Sequence, residues 1–312
     1  MNWFRSVHTG FLSVVALALG VACRSGSTQQ QSGAQSSAAK SVWNLTWSDE
    51  FDGPDGSAPD PTKWVVESGG SGWGNSELQY YTSRRENVRQ EKGNLVIETI
   101  PEKFAGPDGI QHNYTSARLK TEGRFSQQYG RFEARIQVPS GRGLWPAFWL
   151  LGDNFATAGW PACGEINIME NVGKEPSAIQ SNLHGPGYSG TNPLTAVFAL
   201  PRGRFSDGFY VFAVEWEPQV VRFLMDGHVY ATKTPADVPA GKPWVFDHPF
   251  FVILNLAVGG NLAGSPDDST VLPQRMLVDY VRVYSAKSST AFRLPPRDKR
   301  GVQETVAGAN PC

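Results

Sequence analysis

The chain reads as an all-β sandwich of antiparallel strands, and three observations carry that reading. Several stretches alternate apolar and polar residues with period two, helical periodicity is scarce, and 33 Gly and 22 Pro in 312 residues supply many turns. Residues 94–100 (Asn-Leu-Val-Ile-Glu-Thr-Ile) open the series, followed by 131–138 (Arg-Phe-Glu-Ala-Arg-Ile-Gln-Val), 164–171 (Gly-Glu-Ile-Asn-Ile-Met-Glu-Asn) and 210–216 (Tyr-Val-Phe-Ala-Val-Glu-Trp). Residues 221–225 and 228–232 flank Asp226-Gly227, a pair that accepts the positive φ of a type I′ turn, so they form a hairpin. Packing two such sheets buries their apolar faces, and a curved sheet makes a cleft. No internal repeat interrupts residues 43–285, a length that one sandwich domain can occupy.

The ends read differently. In residues 1–22, Arg5 precedes an apolar run over 11–22 that is too short to span a bilayer and ends in small residues, the pattern of an export signal. Cys23 follows Leu19-Gly20-Val21-Ala22, which resembles a bacterial lipoprotein cleavage site with the branched residue one place early. Two outcomes stay open: a lipid anchor on Cys23, or plain cleavage and secretion. The Ser/Gln-rich stretch 23–42 has too little apolar surface to offset ordering entropy and reads as a flexible tether. Residues 286–312 form a peripheral tail rich in Pro, Arg and Lys. With Cys23 set aside, Cys163 and Cys312 make no disulfide framework, and Cys163 has no adjoining His or Lys to activate it.

A net charge of −1 and the lack of a Lys/Arg block argue against a nucleic-acid partner. No zinc-spaced His/Cys cluster and no phosphate-binding glycine loop occurs, so no catalytic cofactor is expected. Ten Trp suit a neutral polymer better, because indole faces pack on the C–H faces of sugar rings.

The chemistry concentrates at residues 164–171. Along a regular strand Glu165 and Asn167 share a face and Glu170, five positions on, points the other way. One extra residue around Ile168-Met169 restores the parity, so a β-bulge is predicted there. Carboxyl groups about 5 to 5.5 Å apart suit double displacement at a sugar carbon with net retention. A polar edge strand with two solvated glutamates is the alternative.

Further motifs surround this strand: Trp47-Ser48-Asp49-Glu50-Phe51, the run 75–82 (Asn-Ser-Glu-Leu-Gln-Tyr-Tyr-Thr), 143–152 (Gly-Leu-Trp-Pro-Ala-Phe-Trp-Leu-Leu-Gly), 184–190 (His-Gly-Pro-Gly-Tyr-Ser-Gly) and 279–284 (Asp-Tyr-Val-Arg-Val-Tyr). Together and in this order they resemble the family 16 glycoside hydrolases, the bacterial laminarinases above all, over residues 43–285. The resemblance implies a β-jelly roll, a monomeric endo-glucanase cleaving β-1,3 linkages in laminarin-like glucan, Glu165 as nucleophile and Glu170 as general acid/base. The extra residue between the glutamates fits the laminarinase and carrageenase branches, and sulfated polymers call for a more basic cleft.

Position 167 departs from the family motif, which has Asp where this chain has Asn. Asn167 keeps the shape, loses the charge and is able to donate to Glu165, which would weaken the nucleophile; losing a negative neighbour would lower the pKa of Glu170. A slowed glycosidase with an acid-shifted profile is the expectation, and its rival is a surface lipoprotein that binds β-glucan without cutting it. The balance between hydrolysis and transglycosylation is open.

The resemblance also implies substrate contacts. Trp145 and Trp149 would be stacking platforms on either side of the catalytic strand, or core. Trp73 and Asn75 would hold a ring and a hydroxyl, or form a Gly-rich surface turn. Arg118 would donate to sugar hydroxyls or form a structural ion pair, and His184 would lie near the acid/base or be a buried, bonded histidine. Asn255, polar in an apolar strand, needs a partner, either sugar or backbone. A structural calcium would take Asp279 with backbone oxygens of Glu50 and Gly93.

Overall fold

The computed structural model describes residues 43–107 and 109–287. The expected export signal and tether, Cys23, Cys312 and all but the first two residues of the tail lie outside the described residues. Two sheets carry the fold. In the seven-stranded sheet the order is Leu194–Ala199, Ala178–His184, Glu165–Glu170, Leu144–Gly152, Phe250–Val258, Arg118–Lys120, Val65–Glu67. The ten-stranded sheet runs His228–Lys233, Val220–Met225, Tyr210–Glu217, Gly130–Gln137, Gln274–Ala286, Asn94–Ala105, Gln111–Ser116, Gln79–Tyr81, with Trp43–Asp49 paired to Gln274–Ala286 and Val88–Glu91 to Asn94–Ala105. This is the jelly-roll sandwich, with the last strand ending at Ala286, one residue beyond the expected domain limit.

One pairing departs from the antiparallel expectation: Gln79–Tyr81 runs parallel to Gln111–Ser116. The intervening chain is long enough to serve as the crossover that a parallel pair requires. The expected hairpin is present, with Asp226 at φ 47° and Gly227 at φ 78°, both positive as a type I′ turn demands.

Period two explains how the seven-stranded sheet is covered. Phe250, Val252, Leu254, Leu256 and Val258 join the main core with Phe132, Ile136, Val214 and Val281 of the other sheet. Alternate residues face away from it: Phe251 and Ile253 pack with Leu151 and Cys163, while Ala257 packs with Trp145, Val172 and Ala263. Strand Phe250–Val258 is therefore buried at every position, and truncating a core residue such as Leu254 to Ala would cost about 2–5 kcal/mol. Between the two apolar patches of the second face lies a band of polar and aromatic side chains.

The bulge falls where parity requires it. Asn167 pairs with Trp149, and the next partners are Met169 with Phe148 and Glu170 with Ala147, so Ile168 is the extra residue. Ile168 and Met169 both enter the main core. Glu170 thereby returns to the face of Glu165 and Asn167.

Candidate active site

Glu170 is buried, with 6% of its surface exposed, and it accepts N–H groups from three side chains. Trp145 Nε1 lies 3.1 Å from Oε1; Asn167 Nδ2 and Asn182 Nδ2 lie 3.0 and 2.7 Å from Oε2. Burial raises its pKa above the ordinary carboxylate range and the charge of Glu165 adds to the rise, while the Asn182 bond, His184 and Trp145 oppose it. Glu165 accepts from Trp160 Nε1 at 2.8 Å. Its pKa is also raised by burial, against hydrogen bonding from Asn167 and Trp160 and the positive charge of Arg118. The two carboxyls thus differ in surroundings: Arg118 lowers Glu165, whereas Glu170 feels the charge of Glu165, which raises it, against the opposing effect of His184.

Asn167 and His184 link the pair. Asn167 Nδ2 is 3.2 Å from His184 Nε2, which in turn is 3.7 Å from Glu165 Oε1. Burial lowers the pKa of His184, so near neutrality the ring is uncharged and its approach to Glu165 is a polar contact. The Asn167 amide reaches both glutamates, going beyond the expected donation to Glu165 alone.

Trp145 and Trp149 both sit on strand Leu144–Gly152, on one side of the catalytic strand, and this corrects their expected placement to either side of it. Trp145 is 9% exposed, packed with Val172, Ala257 and Ala263; its indole N–H serves Glu170. Trp149 is half-buried and donates to Asn255 Oδ1 at 2.8 Å. Arg118 lies between two rings, its Cζ 4.7 Å from the centre of Trp73 and 4.9 Å from that of Trp149, with Nε 2.5 Å from Glu67 Oε2. The ion pair is present, and the stacked guanidinium is held rigidly beside the site.

The protein partners of Asn255 are side chains, where backbone was one expectation. Its amide accepts from Trp149 and donates to Tyr81 Oη at 3.1 Å, and Tyr81 donates to Glu77 Oε2 at 3.1 Å. Register explains this, since Asn255 pairs with Ala147 and Arg118, two positions from Trp149. Burial raises the pKa of Glu77, opposed by bonds from Gln79, Tyr81 and Asn75. Trp73 takes φ 48°, uncommon for a bulky side chain. Its Nε1 bond to Gly69 O at 3.2 Å and the Arg118 contact hold it there. Asn75 closes the same loop, its N–H on Gly72 O and its carbonyl receiving Asn261 N.

Glu67, Glu77, Tyr81, Trp160, Asn182 and Thr195 also belong to this neighbourhood and escaped the sequence reading. Glu77 and Tyr81 were inside a recognised motif, and their partnership was the available signal. Cys163 is buried among apolar residues with its thiol pushed up to about 11, so it is inert packing.

The residues expected to hold calcium fall at adjoining strand positions. Val281 pairs with Asp49 and Val278 with Leu95, so Glu50 and Gly93 flank the Asp279–Tyr280 step. Asp279 Oδ2 is engaged by Arg135 at 2.6 Å, and the Glu50 carboxylate by Arg282. Asp279 Oδ1 and backbone carbonyls remain to fit a hard cation. Among the described residues no cluster of three or more His, Cys, Asp or Glu side chains is placed to hold a metal.

A bulged strand bearing a buried and a partly buried carboxyl in different surroundings, beside indole and guanidinium faces, defines a glycoside-hydrolase type of site. The chain belongs to glycosyl hydrolases family 16, whose model matches residues 75–282. It is 44% identical over 256 residues to a β-glucanase of Rhodothermus marinus, covering 78% of this chain and 85% of that one. Glucan endo-1,3-β-glucosidase A1 of Niallia circulans is 34% identical over 77% of this chain, which spans 38% of that longer protein. Among solved structures, the catalytic domain of an endo-1,3-β-glucanase (laminarinase) from Thermotoga petrophila superposes with a TM-score of 0.75 at 45% identity, covering 79% of this chain and 99% of that one.

Proposed function

We propose that the chain is an exported, retaining endo-β-1,3-glucanase acting on laminarin-like glucan, with Glu165 as nucleophile and Glu170 as acid/base. The observation that carries the reading is the bulge, which returns Glu170 to the face of Glu165 within a site of sugar-compatible aromatic surfaces. In the first half of the reaction Glu165 attacks the anomeric carbon while Glu170 gives its proton to the departing glycosidic oxygen. Water then enters, Glu170 removes its proton, and the glycosyl ester on Glu165 is hydrolysed. The negative charge of Glu165 that favours protonated Glu170 disappears on esterification, which suits the change from acid to base.

Asn167 tempers this machinery, because its amide N–H stabilises the ionised form of Glu170. Arg118, Trp73, Trp149 and Asn75 would bind sugar rings and hydroxyls, and Trp145, His184 and Asn255 would hold the shape of the site. Calcium at Asp279, Glu50 and Gly93 would tie strand ends together. Incubation with laminarin should release reducing ends. Binding without release would replace the enzyme by a non-catalytic β-glucan-binding lipoprotein that has lost catalysis at Asn167.

A further inference from the structure

The two oxygens of Glu170 are not equivalent. Oε2 accepts two amide N–H groups, from Asn167 and Asn182, and Oε1 accepts only the Trp145 indole. An indole N–H donates and never accepts, whereas an Asn amide has one end of each kind. Asn182 can therefore turn either its NH2 or its carbonyl to Glu170, and its other contact decides which. That contact is Thr195, whose Oγ1 donates to Asn182 Oδ1 at 2.6 Å from the opposing position on strand Leu194–Ala199.

We propose that Thr195 is a positioning residue: its hydroxyl holds the Asn182 amide with N–H toward Glu170 Oε2, leaving Oε1 as the oxygen that carries the transferred proton. This rests on Glu170 being the acid/base. With two donors aimed at it, Oε2 has no neighbour to accept a hydrogen, while Oε1 keeps a lone-pair direction beyond the single Trp145 bond. Thr195 acts through Asn182, so it stands one bond removed from the reacting atoms. The titratable groups facing Glu170 are Glu165 on its own strand and His184 on strand Ala178–His184. Strands Leu144–Gly152 and Leu194–Ala199 contain no ionisable side chain, so nothing on them supplies a competing titration.

Without the hydroxyl, the Asn182 carbonyl is free to face Glu170. That arrangement favours the protonated carboxyl and hinders the half-reaction in which Glu170 must be a base. Thr195 is exposed, so its replacement is compatible with folding. Thr195→Val and Thr195→Ser are compared with the parent chain on laminarin across pH, with Glu170→Gln in parallel. For Thr195→Val, kcat should fall about three- to tenfold, with the alkaline limb of kcat/KM moved to higher pH and KM changed less than about twofold. Thr195→Ser, which keeps the hydroxyl, should restore both. A silent Thr195→Val, or a Thr195→Ser as impaired as the valine, overturns the positioning role while Glu170→Gln remains inactive. A Glu170→Gln variant with parental activity overturns the acid/base reading itself and the Thr195 role with it.

Discussion

Replacing Asn167 by Asp should speed the enzyme and extend its activity to higher pH. In the present chain the Asn167 amide donates to Glu170 Oε2 at 3.0 Å and so favours ionised Glu170. An aspartate there would remove that bond and add a negative charge in a pocket where position 167 is 4% exposed and Glu170 6%. Two unit charges about 4 Å apart at an effective dielectric near 20 repel by about 4 kcal/mol. Carboxyls this close share a proton, so Glu170 would stay protonated, and able to act as the acid, to higher pH. Turnover of laminarin should rise by about tenfold to a thousandfold where acid catalysis limits the rate. The assay is kcat and kcat/KM across pH for both proteins. An unchanged rate with an unchanged alkaline limb would refute the idea that Asn167 restrains catalysis.

The raised pKa of Glu165 has a consequence for stability. Its folded value lies above the ordinary 4.5, so its contribution is complete below that pH and is lost as pH rises through the folded value. Glu165→Gln should therefore melt higher than the parent near about pH 7 and lose the advantage below about pH 4; equal melting temperatures at both would contradict the burial argument. Arg118→Lys keeps the charge and loses the flat face between Trp73 and Trp149, so KM for laminarin should rise about five- to tenfold; an unchanged KM would remove Arg118 from substrate binding. Chelation with EDTA should lower the melting temperature and added calcium restore it, whereas an indifferent melting curve would exclude calcium at Asp279.

Local signals were enough for much of the fold. Alternation located strands such as Tyr210–Glu217, Asp226-Gly227 announced its hairpin, and the parity of Glu165 and Glu170 required the bulge found at Ile168. These features depend on neighbours in sequence. Cross-strand partnerships were illegible because they depend on register between distant segments. Asn182 meets Glu170 through the bulged pairing of two strands, and Thr195 meets Asn182 through a third. Asn255 was recognised as needing a partner, yet Tyr81, 174 residues away, could not be named. The placement of Trp145 and Trp149 to either side of the catalytic strand overlooked a simple rule: residues four apart in one strand stay on that strand and share its face.

The central claim is double displacement by Glu165 and Glu170, and the anomeric configuration of the first product tests it most directly. Proton NMR of laminarin during the first minutes of digestion should show the β-anomer of the new reducing end appearing first, with the α-anomer growing in later by mutarotation. Initial release of the α-anomer would mean inversion by a single displacement and would contradict the account.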